Sequence, residues 1–347
     1  MTLSRNLFIY FGIQQTTYSK SEVIVAVKGH AIVQNMDADT QNPFVGFYVF
    51  PHGGITLDPQ GSDYSNEPAW QESSQEKCVE LHNAMRQAAE ALVQSQPDLI
   101  IFSTPHGFRL ADNVQLLYNT KVAGDAGERW SNFTASFDID PVLPAVLYEA
   151  LKSTGRPVQS LTMGKGSETL PITWGEVIPW YFILEAASKA GFPVPSAVYI
   201  GPSKNVSIDN LRNIGRDITK TVLHREEFAN RKIAVVISGD LSHYHSNDPS
   251  SPYPYSPFAE VFDKYVVNWA KMDRNAETEN SSAYEILEKA GSLSGRAGTC
   301  GYTGLVMLHG MMEELVLREW NFTSHFYTYQ TPTYYGMTVA SWLPEVK

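Results

Sequence analysis

Three short apolar runs in this sequence each stop at a turn that carries a histidine. Val45 to Phe50 (VGFYVF) leads into Pro51-His52-Gly53-Gly54, and Asp98 to Ser103 (DLIIFS) leads into Thr104-Pro105-His106-Gly107. Lys232 to Ile237 (KIAVVI) leads into Ser238-Gly239-Asp240-Leu241-Ser242-His243-Tyr244-His245. Runs of this length, rich in Val, Ile and Phe and ended by Gly or Pro, read as buried strands of an α/β sheet. Ligands of such sheets bind in the crevice outside the carboxyl ends of the strands. Histidines placed there, although far apart in sequence, predict one metal or acid–base site.

The segments between these runs fit an α/β fold with a central, largely parallel or mixed sheet flanked by helices. Ser74 to Gln94 has Val79, Met85, Ala89 and Leu92 near helical spacing, so the first two runs form a strand–helix–strand crossover, expected to be parallel. Asn113 to Val122 and Trp130 to Phe137 read as strands, and Pro141 to Thr154 as a helix. Leu170 to Ala190 reads as a loop followed by an apolar helix. A strand at Val198 to Gly201 and a helix at Ile208 to His224 follow. Ser246 to Pro257 is a Pro- and Ser-rich surface loop. Helices are expected at 258–271 and 283–290, then a Gly-rich turn (295–304), a helix (305–317) and a closing strand (335–342). Residues 1–43 read as an extension with a strand at Glu22 to Val27 and its hairpin partner near Ala31 to Val33; 44–347 reads as one domain. A polar loop covers Asp58 to Glu72.

Composition narrows the function. A hydrophobic content of 43% supplies a large core and excludes global disorder. A formal charge of -11, with no basic block, argues against nucleic acid or an anionic membrane as partner and leaves self-association open. Two cysteines, Cys78 and Cys300, point to a reducing compartment rather than a disulfide scaffold. The apolar run near Leu7 to Gly12 is too short for a signal or a membrane span, so a cytoplasmic protein is expected.

His52 and His106 share the Pro-His-Gly form, where a sharp bend can aim a ring into a cleft; the bland alternative is a ring that only fixes its own turn. Two neutral imidazoles from separate strands are a usual start to an open metal site. Asp240 and His243 lie three apart in a tight turn, where a carboxylate can orient an imidazole and raise its basicity. The alternative is Asp240 capping a turn with His243 exposed. His245 is the weaker partner, next to a solvated loop. Cys300, in Ala297-Gly298-Thr299-Cys300-Gly301-Tyr302, opens a helix, a position that lowers a thiol's pKa and suits a ligand to a soft or borderline metal. It could equally be a small buried hydrophobe, as Cys78 is read.

Taken in order, these pieces resemble the class III extradiol dioxygenase superfamily, the LigB-like fold that also includes the Memo family. The matching segments are Pro51-His52-Gly53-Gly54, Pro105-His106-Gly107, Ser238-Gly239-Asp240-Leu241-Ser242-His243 and Ala297 to Tyr302 with its helix. Phe262-Asp263 and the closing Thr333-Tyr334-Tyr335-Gly336-Met337 to Ala340 also fit, so the likeness covers 45–342. It implies one LigB-like domain with a divalent metal, usually non-haem Fe(II), with copper or zinc as alternatives. It further implies a small catechol-like aromatic substrate and O2. By motif, His52 and His106 would be ligands and His243 the acid–base residue, oriented by Asp240. Memo-like members place a cysteine matching Cys300 with the two histidines.

Two departures weaken ordinary ring cleavage. Relatives often carry Glu where this chain has Thr299, and a histidine that holds catechol hydroxyls where it has Trp174. Glu176 could supply a carboxylate instead, and Trp174, Tyr244 and Tyr302 could pack on an aromatic ring. Three readings follow. One is an Fe(II)-dependent oxygenase, one a Memo-like redox protein with a His/His/Cys site, and one a non-catalytic binding protein or subunit that keeps the pocket.

Overall fold

The computed structural model describes residues 42–60, 74–280 and 283–345, with strand segments at 18–19, 22–27 and 30–35 ahead of them. The loop expected over 58–72 lies outside the described residues from 61 onward. The chain forms two units, Met1–Asn42 and Pro43–Lys347. The first holds an antiparallel sheet of β1 (Tyr18–Ser19), β2 (Glu22–Val27) and β3 (His30–Asn35), with Val27 opposite His30 in the expected hairpin.

The second unit runs β4 (Phe44–Phe50), α1 (Ser74–Gln94), β5 (Leu99–Ser103), β6 (Val114–Leu117), β7 (Lys121–Asp125), β8 (Thr134–Asp138), α2 (Leu143–Ser153) and β9 (Val158–Leu161). It continues with β10 (Thr169–Ile172), α3 (Trp174–Ala190), β11 (Ser196–Gly201), α4 (Ile208–His224) and β12 (Ile233–Ser238). Next come α5 (Phe258–Ala270), α6 (Ala276–Asn280), α7 (Ala283–Gly291), α8 (Ser294–Ala297) and α9 (Tyr302–Val316). Strands β13 (Phe322–Gln330) and β14 (Met337–Pro344) close the fold.

Eight strands make a mixed sheet in the order β13-β14-β4-β12-β5-β11-β6-β9, its middle four, β4 to β11, parallel. Helices cover both faces, which is why the middle strands are buried along nearly their whole length rather than at alternate residues. Successive side chains still point to opposite faces. Phe47, Val49, Leu99, Ile101, Val235 and Ile237 join one core with residues of α4 and α9. Tyr48, Phe50, Ile100, Phe102, Ala234 and Val236 join the other with residues of α1 and α3. A polar substitution at any of these positions therefore lands in a dry helix–sheet seam.

Strands β4 and β5 are parallel as expected, but β12 lies between them. The run expected as one strand over 113–122 is two, β6 in the large sheet and β7 in a small sheet ordered β10-β7-β8. The break has a local cause. Buried Asn119 donates to Met163 O and Glu168 O and accepts from Met163 N, which fixes a turn between the strands. The loop expected before α3 contains β10, and β13 adds a strand that the sequence reading did not anticipate.

Candidate metal centre

Strand order accounts for the meeting of the histidine turns. β4, β12 and β5 are neighbours running the same way, so their carboxyl ends leave one edge of the sheet. The register pairs Ser238 with Phe50 and Ile237 with Ser103, so the turns start level. Gly239 N–H donates to Phe50 O, and His52 N–H donates to Asp240 Oδ1 at 3.0 Å. The turn ahead of α9 then brings in Cys300. Gly239 lies against Gly301 so closely that a Cβ on it would sit 2.5 Å from the Gly301 Cα, and Gly301 N–H donates to Asp240 O.

Three donor atoms converge there. His52 Nε2 lies 3.0 Å from His106 Nε2 and 3.4 Å from Cys300 Sγ. Two nitrogens sharing one tetrahedral ion would stand about 3.3 Å apart, and a nitrogen and a sulfur about 3.6 Å, from ordinary ligand distances. Small side-chain rotations separate the observed spacing from that geometry. The hydrogen-bond chain behind His52 is a second mark of fit. Ser238 Oγ donates to Gly175 O at 2.5 Å, so it can only accept from His52 Nδ1–H, 2.8 Å away. His52 then carries its proton on Nδ1 and aims a lone pair from Nε2 at the cluster, the tautomer that a metal ligand needs. These residues fit a resident metal ion.

Electrostatics point the same way. Burial pushes the His52 imidazole down to about 3, and a charge on His243 adds to this. Burial, then the neighbouring His52, takes His106 to about 2. Both rings are therefore neutral at physiological pH, the form in which an imidazole nitrogen can bind a metal. Burial raises Asp240 to about 6, opposed by His243 and by the N–H groups of His52 and Gly53. Cys300 was expected to gain thiolate character from its helix terminus; instead burial, helped by Asp240, pushes the thiol well up. A dication would reverse that, because a coordinating thiol gives up its proton.

His52 and His106 line a 550 Å³ cavity walled by Trp130, Trp174, Tyr253, Tyr334 and Tyr335, with Asp240 and His243 also on its lining, while Cys300 is buried and is not part of the lining. That size is within the range of small-molecule sites and exceeds one aromatic ring. Trp174, the first residue of α3, is 43% exposed and holds its ring 5.2 Å from His106. The His243 ring stands 5.4 Å from Tyr253 and 6.1 Å from Tyr335, and burial lowers its pKa. No hydrogen bond or ion pair joins it to Asp240 among the described residues; Asp240 Oδ1 accepts from the His52 amide and Oδ2 lies 3.6 Å from His52 Nε2.

The other predicted residues stand elsewhere. Glu176 is buried and spends one carboxylate oxygen on the Thr173 amide, as half of a capping box, and the other on Tyr199 OH at 2.5 Å. Tyr302 OH donates to Leu287 O in the core. Tyr244 packs on Gly298, one ring behind Tyr253. None of the three lines the cavity. His245 is bound to Asp263 Oδ2 at 2.7 Å and Ser242 Oγ at 2.6 Å. Sequence reasoning missed Ser238, Trp130 and Tyr253 as site residues, and it read Tyr334 and Tyr335 only as part of a closing strand.

A family profile described as the catalytic LigB subunit of aromatic ring-opening dioxygenase matches residues 46–339. The chain belongs to this LigB family. Its fold is that of aromatic ring-opening dioxygenases, and the family uses a non-haem metal. Protein CA_C1420 of Clostridium acetobutylicum is 26% identical over 272 residues, covering 77% of this chain and 52% of that protein. The LigB-family chain thus spans about half the length of the curated relative it matches. The uncharacterized protein JW3007 from Escherichia coli K12 aligns with a TM-score of 0.49 and 15% identity, over 86% of this chain and 99% of that one. Among the described residues no helix is long and apolar enough to cross a membrane.

Proposed function

We propose that this LigB-family chain is a non-haem metal-dependent oxygenase acting on a small catechol-like aromatic with O2. Fe(II) is the proposed metal, with His52, His106 and Cys300 holding it. The observation that carries the reading is the convergence of His52 Nε2, His106 Nε2 and Cys300 Sγ, with His52 fixed by Ser238. When bound, the metal supplies Lewis acidity and a template for the substrate oxygens. Trp174, Tyr253, Tyr334 and Tyr335 offer ring faces that would orient an aromatic substrate and exclude water. His243, kept neutral by burial, presents an imidazole nitrogen that can take a proton from a substrate hydroxyl. Asp240 acts through position. Its carboxylate ties the His52 backbone to the turn that carries His243 and places negative charge beside that ring.

A second reading, a Memo-like redox protein, is favoured by one feature of the donor set. The sulfur ligand has no carboxylate beside it from position 299, and Glu176 is committed to its helix cap. Both readings place a soluble protein in the cytoplasm, in keeping with two free cysteines. The test is metal analysis of protein purified without oxygen, followed by anaerobic addition of a catechol. The oxygenase predicts about one iron per chain, a catechol-dependent change in its spectrum, and a yellow ring-opened product on admission of O2. Metal without any catechol response supports the redox reading, and absence of a transition metal removes both.

A further inference from the structure

Five donors meet at this site, not three. Cys300 Sγ belongs to two sets whose ligand atoms all lie within 4.8 Å of one another: His52, His106 and Cys300, and Asp240, His243 and Cys300. The mechanism above uses the second set only for its charge and its proton chemistry. Its composition of one carboxylate, one imidazole and one thiol contains each of the three donor types that zinc takes from proteins. Asp240 Oδ1 is committed to the His52 amide, while Oδ2 turns inward, 3.6 Å from His52 Nε2. No hydrogen bond holds the His243 ring among the described residues, so it can turn onto an ion without breaking one. A thiolate sulfur has more than one lone pair, so Cys300 can serve both sets at once.

We propose that Asp240, His243 and Cys300 form a second metal position, bridged to the first through Cys300, which zinc fills when in excess. Zinc is the cation of choice because, being borderline-soft, it takes both the soft sulfur and the hard oxygen of this set, and because it brings no redox chemistry of its own. Two ions bridged in this way stand about 3.5–4 Å apart, the spacing of two-metal sites. Filling the position has a consequence that rests on the oxygenase reading. A coordinated His243 has no lone pair for the substrate proton, so the second ion switches the site off.

The test uses the whole chain loaded anaerobically with Fe(II) and titrated with zinc chloride. The expected result is one iron plus one zinc per chain, with zinc-edge X-ray absorption giving a sulfur neighbour and a metal scatterer at about 3.5–4 Å. His243→Ala and Asp240→Asn should each load the first metal normally, which also reports correct folding, and bind zinc at least tenfold more weakly. Zinc replacing iron one for one, with the total fixed at one metal per chain, overturns the second position. So does unweakened zinc uptake by both variants. The iron reading is scored separately. A chain that refuses iron but binds two zinc ions, one lost in His106→Ala and the other in His243→Ala, keeps the second position while the oxygenase proposal falls. If iron loads and a catechol is turned over, turnover should fall in step with zinc occupancy. Turnover unchanged at full occupancy overturns the switching role.

Discussion

Two histidine clusters are built around the same strand-end turn, and their hydrogen bonding divides them. In one, His245 Nε2, Ser242 N–H and Tyr329 OH all converge on Asp263, a fully buried carboxylate whose two oxygens are filled by those donors. In the other, His52 Nε2, His106 Nε2 and Cys300 Sγ converge on each other, and the nearest carboxylate oxygen, Asp240 Oδ2, stands off at 3.6 Å from His52 Nε2. The first cluster is complete as protein and acts as a strut. It also holds the cavity wall, because His245 N–H donates to Tyr334 O and Gly336 N–H to Ser242 O. The second has no such central acceptor, and its converging donors are where the proposed cation would sit. The same residue type thus serves as a fastener in one cluster and as the proposed ligand in the other, according to whether the protein itself fills its bonds.

The sharpest way to break this comparison is to empty the strut. Asp263→Ala leaves the buried Ser242 N–H and the half-buried Tyr329 hydroxyl without their acceptor, and leaves His245 with Ser242 Oγ alone, so it should destabilise the chain by about 2–4 kcal/mol, read by denaturant unfolding. Metal bound per folded chain at low temperature should stay at the wild-type value. A large loss of metal with unchanged stability would merge the two clusters into one. His106→Ala should do the reverse. Removing one ligand of a few should cost about 3 kcal/mol of metal affinity, on the order of a hundredfold, with little change in apo-protein stability. Ser238→Ala tests the link behind His52. Loss of the tautomer-fixing acceptor should weaken metal binding by about 10–100-fold, and nitrogen NMR of His52 should show loss of the single Nδ1–H form. Unchanged affinity together with an unchanged tautomer would remove Ser238 from the site. Tyr329→Phe is the mildest change. It takes one hydroxyl from Asp263, should cost about 1 kcal/mol of stability, and should leave metal affinity within twofold.

The parts of this picture legible in the sequence were those set by local pattern. Apolar runs stopped by Gly or Pro placed β4, β5 and β12, and the Pro-His-Gly turns marked His52 and His106. What the sequence could not give depended on distant packing. Trp130 reaches the cavity because it lies over Gly54, where an added Cβ would fall within 2.5 Å of its ring. Tyr253, in a loop read as mere surface, stacks toward Tyr334 and His243. The behaviour of Cys300 also turned on packing, since burial outweighed its helix-terminal position. For Glu176 a signal was present. Thr173 three residues before Glu176, ahead of an apolar run, is the capping-box pattern, and it accounts for that carboxylate without any metal.

The most direct test is X-ray absorption at the metal edge of the iron-loaded chain, compared between wild type and Cys300→Ala. The account predicts imidazole scattering from two histidines plus one sulfur neighbour in the wild type, with only the sulfur lost in the variant. A first shell of nitrogen and oxygen alone, identical in both proteins, would contradict a centre built on His52, His106 and Cys300.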